Sequence, residues 1–147
     1  MTTPDNHALS RFCYRVGIHT VLLETDVQSE IVTGRTVCPV PFAPAWCRGL
    51  ISLRGNLYPV IDMHWVLERR TSPTQTQLLL LQHHRFSPAV LTCDGYPRPL
   101  KLPTALPMEN NANLPSWITH TLQYAGQTLL AADHGTLFRQ VQRLQGN

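Results

Sequence analysis

The amino-acid sequence predicts an all-β (mainly) chain of nine or ten short strands with one or two short helices, one of them C-terminal. Three observations carry that prediction. Apolar and polar residues alternate over several short runs, the period of a half-buried strand. Twelve prolines and frequent Gly, Asn and Asp pairs break the chain too often for long helices. Only two stretches, after Asp62 and after Asp133, show the start signal and spacing of a helix. The strands fall into two groups separated near residues 69–76, and the natural class is a sandwich or barrel.

Taken in order, residues 1–9 read as a polar leader. From Arg11 to Val16, Phe12, Tyr14 and Val16 alternate with Arg11, Cys13 and Arg15, so the first three are expected inside. Gly17 marks a turn and residues 19–24 a second strand. Residues 26–31 fit either a single helical turn or a third short strand, ended by Gly34. Residues 35–40 read as a strand ahead of a bend from Pro41 to Pro44. Leu50 to Leu53 alternates weakly, as in a strand packed on both faces or in a small closed barrel. Arg54-Gly55-Asn56 is a turn, since Gly and Asn tolerate positive φ. Pro59 lacks an N–H and places residues 57–61 at an edge or a bulge. Asp62 is suited to cap a short helix over 63–67.

Residues 69–76 are a polar connection. Residues 77–82 and 86–92 are compact apolar strands. Asp94-Gly95 is expected to turn, and residues 96–102, with two prolines, suit a central strand poorly. Residues 103–115 read as a long irregular loop. Residues 117–124 and 127–132 form a last hairpin about Ala125-Gly126. Asp133 caps a final helix whose Leu137, Phe138, Val141 and Leu144 share one face.

At 147 residues the chain has the size of a single domain with a real core. Hydrophobic content of 43% against 14% charged residues is that of a globular protein rather than a disordered one. The net charge of +3 comes from scattered arginines, without the basic stripe and interleaved aromatics of a nucleic-acid binder. Cys13, Cys38, Cys47 and Cys93 are widely spaced, and no basic or apolar leader precedes the fold. Reduced thiols in a cytoplasmic protein are the expectation. The longest apolar run, residues 78–81, is too short to cross a bilayer.

Common hydrolase, metalloprotease and phosphate-loop motifs are absent from the sequence. His83 and His84 are adjacent, and on a strand they would point to opposite faces, away from a shared ion. Cys93-Asp94 with a nearby histidine could mimic a Cys/His pair, but a core thiol beside a turn is the simpler reading. No cofactor, metal or catalytic residue is expected. Arg54 stands out instead: a guanidinium held at a strand corner suits bidentate pairing with a carboxylate.

The run from Gly49 to Met63, G-L-I-S-L-R-G-x-x-x-P-V-I-D-M, resembles the hallmark of CheW-like domains. That hallmark is written G-hydrophobic-x-N-L-R-G-x-x-x-P-hydrophobic-hydrophobic-D-L, with Ser52 here in place of Asn and Met63 in place of Leu. Val40-Pro41 and Pro44 are similar to the family's V-P-x-x-P approach to the hairpin. The resemblance implies two small five-stranded SH3-like β-barrels sharing a hydrophobic interface within one CheW-like domain, residues 1–147. A first barrel would span roughly 17–75 and a second roughly 76–132, with the terminal segments crossing over.

The resemblance also implies a non-catalytic adaptor. Its partners would be the cytoplasmic tip of a chemoreceptor, the regulatory domain of a CheA-type histidine kinase and other CheW-like domains in an array, with the membrane reached only through receptors. Many members carry a glutamate in a V-x-E segment some two dozen residues before the arginine. Glu30 matches by count, although Val27 stands three positions before it rather than two. Glu30 and Arg54 are therefore expected to lie within ion-pair reach at the rim of a groove. Leu53, Gly55, Asp62 and Trp65 complete the candidate protein-binding set, Trp65 as an aromatic anchor. The second half lacks the family's V-D-x-V segment, and the chain looks more like a PilI-like adaptor of a type IV pilus pathway (twitching motility) than a flagellar one. Two other classes are open on the residues alone: a small β-barrel module for nucleic acid or another ligand, and an enzyme of unrecognised type.

Overall fold

The computed structural model describes residues 8–73, 76–103, 108–109 and 113–144. Ten strands and two helices follow one another along the described chain: β1 (Ala8–Val16), β2 (His19–Leu22), β3 (Gln28–Val32), β4 (Cys47–Leu53), β5 (Asn56–Ile61), α1 (Met63–Glu68), β6 (Gln77–His83), β7 (Phe86–Pro103), β8 (Met108–Glu109), β9 (Ile118–Tyr124), β10 (Gln127–Ala132) and α2 (His134–Leu144). Of the expected leader, residues 1–7 lie outside the described residues, as does the side chain of Leu144.

Two barrels form, each with its own interior. In the first, Val32, Ile51, Leu53, Val60, Leu80 and Val90 meet, so that β3, β4, β5, β6 and the start of β7 each contribute an inward side chain. In the second, Cys13, Leu22, Leu102, Leu122, Leu129 and Ala131 meet, from β1, β2, the end of β7, β9 and β10. A third and larger apolar cluster, including Tyr14, Trp46, Met63, Leu91, Trp117, Leu137 and Phe138, lies between the barrels. Each leucine fully buried in these cores stabilises the fold by roughly 1.5–3 kcal/mol.

The pairing does not follow the expected division at residues 75 and 76. β2 pairs with β1 and, in parallel, with β10 in the second barrel. β6 pairs with β3, and β7 pairs with β6 up to Cys93, all in the first. β7 then continues from Asp94 against β1. The chain thus crosses between barrels twice, once between β2 and β3 and once within β7 at Cys93–Asp94.

The expected Asp94-Gly95 turn is therefore a bend inside one 18-residue strand. Gly95 has φ of 65°, and the Asp94 carboxylate accepts from the Gly17 N–H at 2.7 Å instead of closing a turn of its own. Residues 96–102, whose two prolines suit a central strand poorly, lie in a half of β7 that has β1 as its one described partner.

Other local differences have equally direct causes. A bulge between Cys13 and Arg15 interrupts the alternation of β1, burying Cys13 and leaving Phe12 half exposed. Residues 35–40 make only a bridge between Cys38 and Leu50, because Pro39 and Pro41 cannot donate to a ladder. Of residues 26–31, the first lies in a turn and 28–31 in a strand, β3. Pro59 sits just before Val60 and Ile61, where β5 gains β7 as a second neighbour.

The barrels also share an internal repeat. Pro44, Trp46, the Arg54-Gly55 corner and Asp62 recur at one constant spacing as Pro115, Trp117, Ala125-Gly126 and Asp133. The corner φ values are 49° and 81° in the first copy and 51° and 79° in the second. Asp62 N–H donates to the Trp46 carbonyl at 2.7 Å, and Asp133 N–H to the Trp117 carbonyl at 2.7 Å. Each aspartate then caps a helix, Asp62 accepting from Trp65 N–H and Asp133 from Thr136 N–H.

Candidate functional site

The Arg54 guanidinium donates to the Glu30 carboxylate, and both side chains remain about half exposed. Their elements explain the meeting. Arg54 and Gly55 form the left-handed corner between β4 and β5, which turns the arginine outward. Glu30 lies at the middle of β3, whose residues 28–31 are all exposed. Beside this pair runs an open groove of about 610 Å³, lined by Phe12, Val27, Glu30, Ile31, Leu79 and Pro97 among others. Phe12 and Pro97 come from the second barrel and the rest from the first, so the groove lies where the barrels adjoin.

The remaining candidates are dispersed. Gly55 lies in the exposed corner, with open space where a Cβ would point. Leu53 is buried in the first barrel and presents no surface. Asp62 is 1% exposed; its two oxygens accept from Trp65 N–H at 3.1 Å and Ser72 N–H at 3.0 Å, which is a structural task. Trp65 is half-buried under the Arg69 guanidinium, 4.2 Å above its ring. It lines a separate cleft of about 360 Å³ between α1 and α2, with Pro115, Trp117 and Leu137. Phe12, Ile31 and Pro97 were not among the candidates. Ile31 could have been found by placing residues 28–31 on an exposed strand beside Glu30, whereas Phe12 needed knowledge of the bulge.

Histidine–carboxylate pairs are the other polar feature. His134 is fully buried; its Nδ1 donates to Glu24 at 2.6 Å and its Nε2 lies 2.8 Å from the Tyr14 hydroxyl. Burial pulls the Glu24 carboxyl upward, but the hydrogen bonds and charge of His134 outweigh it and leave the group below the ordinary glutamate value. His64, also buried, meets the Asp94 carboxylate at 3.0 Å. Burial raises Asp94 too, and the Gly17 N–H and His64 more than offset it. Burial, then the Asp94 charge, pushes the Cys93 thiol up to about 12, which suits a core thiol rather than a nucleophile. Among the described residues no three His, Cys, Asp or Glu side chains could hold a metal ion together. The His83 and His84 rings stack at 4.2 Å, because β6 ends at His83 and His84 lies in the following turn. Among the described residues no helix is long and apolar enough to cross a membrane.

Two barrels, a shared apolar interface and an arginine corner beside a groove make up a two-barrel domain. The sequence matches the CheW-like domain family over residues 11–142, and the chain belongs to that family, whose members are non-catalytic scaffolding adaptors of chemotaxis. The fold is similar to that of the scaffolding protein TtCheW from Thermoanaerobacter tengcongensis, with a TM-score of 0.71 at 17% identity over 89% of this chain and 92% of the other. No curated protein matches the sequence.

Proposed function

We propose that this chain couples the cytoplasmic tips of chemoreceptors to the regulatory domain of a CheA-type histidine kinase. One observation carries the reading. The second barrel builds the same corner, to within a few degrees, with Ala125 where the first has Arg54. The backbone therefore needs no arginine at that place. An exposed ion pair adds only about 0–1 kcal/mol to stability, so the Glu30–Arg54 pair is better explained by recognition than by folding. The neighbouring groove, with Phe12, Val27, Ile31 and Leu79 along it, has the apolar wall that a receptor helix tip requires.

The kinase domain and neighbouring CheW-like domains take the barrel ends, using exposed apolar side chains such as Ile18 in the turn after β1 and Leu57 at the start of β5. The protein works in the cytoplasm and reaches the membrane through receptors. Its second half, without a V-D-x-V segment, favours a type IV pilus pathway as the output. The test is binding of the full chain to a receptor-tip fragment and to the kinase regulatory domain, with Arg54→Ala in parallel. Receptor-tip binding that falls in Arg54→Ala while kinase binding persists supports the reading. A wild-type chain that binds neither partner overturns it.

A further inference from the structure

Both crossings between the barrels end at a histidine of an interface helix. The first leaves β2 through Glu24, which is held by His134 in the first turn of α2: Nδ1 to Oε1 at 2.6 Å, and the His134 backbone N–H to Oε2 at 2.9 Å. The second lies within β7 at Asp94, which is held by His64 in the first turn of α1 at 3.0 Å and also accepts the Gly17 N–H at 2.7 Å. The helices are exchanged with respect to the chain. α1 follows the first barrel, yet its Glu68 faces His19 of the second barrel at 3.7 Å. α2 follows the second barrel, yet its Phe138 packs edge-on to Phe86 of the first, with ring centroids 4.9 Å apart.

We propose that His64–Asp94 and His134–Glu24 are a pair of hinge pins that fix the angle between the barrels, making all four positioning residues for the groove. The close-packed apolar cluster between the barrels opposes their separation and large rotations, but apolar attraction is non-directional and sets the final angle less sharply. Hydrogen bonds to carboxylates have a set length and direction and fix that angle well. The groove takes Thr25, Val27 and Glu30 from just beyond the first crossing and Pro97 from just beyond the second. A change in barrel angle therefore changes its width. The effect on partner binding rests on the receptor reading above; the effect on barrel angle does not.

The experiment is residual dipolar coupling on the ¹⁵N-labelled full chain. In the wild type, amides of both barrels fit one alignment tensor. In a Glu24→Ala/Asp94→Ala double variant, each barrel fits its own tensor and the single-tensor fit is lost. If that variant does not fold, Glu24→Ala and Asp94→Ala, each made alone, are judged by the same criterion. A folded variant whose barrels still share one tensor in the wild-type orientation overturns the pins, even if its melting temperature falls. Where the tensors diverge, affinity for the receptor-tip fragment is expected to drop at least about fivefold. Tensors that diverge while affinity holds overturn the link from hinge to groove. If Arg54→Ala also binds like wild type, the receptor reading fails and the tensors alone decide the pins.

Discussion

Glu30 and Arg54 join two parts of the first barrel that share no described backbone ladder: β3 pairs with β6, whereas β4 pairs with β5. The ion pair thus spans a seam in the barrel wall. Being about half exposed on both sides, it is screened by water and salt. Replacing Arg54 with alanine is expected to change unfolding stability by less than about 1 kcal/mol, with an unchanged denaturant slope. Urea unfolding followed by tryptophan fluorescence checks this. A loss of several kcal/mol would make Arg54 a structural residue and remove the reason for assigning it to recognition.

Two glycines of the same hairpin are expected to behave oppositely. A Cβ on Gly49 would stand 2.2 Å from the Cys38 carbonyl oxygen, where φ is already +141°. The backbone on both sides is fixed by paired hydrogen bonds between Cys38 and Leu50 at 2.8 and 2.9 Å, so nothing nearby can yield. Gly49→Ala should therefore cost about 3 kcal/mol or more. Gly55 has φ of +81° but open space around it, and Gly55→Ala should cost only about 1 kcal/mol. Denaturation midpoints of the two variants decide the order, and equal losses would refute the steric argument.

The hairpin around these glycines was the legible part of the sequence, because its signals are local: a turn pair, a proline at an edge, an aspartate at a helix start. Motif count places Glu30 opposite Arg54, and the two side chains do meet. The course of β7 was not legible, since the sequence shows Asp94-Gly95 as a turn and the partners that override it, Gly17 and His64, are distant in the chain. Burial of Cys13 instead of Phe12 depended on a bulge, which leaves no signature in residue alternation. The repeat of Pro44, Trp46, Gly55 and Asp62 as Pro115, Trp117, Gly126 and Asp133 was present in the letters. It is sparse, and only the shared corner angles make it plain.

Acid stability follows from two partly buried carboxylates. Glu24 and Asp94 both have folded-state values below their ordinary ones, each through its histidine and a backbone N–H. A depressed carboxyl contributes stability that is complete above the unfolded value and is lost as pH falls through the folded value. The urea midpoint is therefore expected to decline as pH drops below about 4.3, the ordinary glutamate value. Glu24→Gln should lower stability at neutral pH and flatten that decline. Asp133, Asp26 and Glu68 are depressed too, so some slope remains. A variant as steep as the wild type would show that Glu24 is not among the groups titrating.

Phe42 is the local choice most at odds with its surroundings. Residues 40–43 form a tight turn closed by Ala43 N–H to the Val40 carbonyl at 3.2 Å. Pro41 sits at the second position, where its fixed φ is suited. Phe42 occupies the third with φ of 60°, a place that favours Gly or Asn. Its ring is 105% exposed, so no described packing compensates for the strained backbone. Phe42→Asn should consequently stabilise the protein by about 1 kcal/mol, an unusual direction for replacing a large apolar residue. Phe42→Gly should gain less, because glycine also loosens the unfolded chain. Urea unfolding of the two variants beside the wild type measures both effects. A loss of stability in Phe42→Asn would mean that the ring is held against the fold in solution.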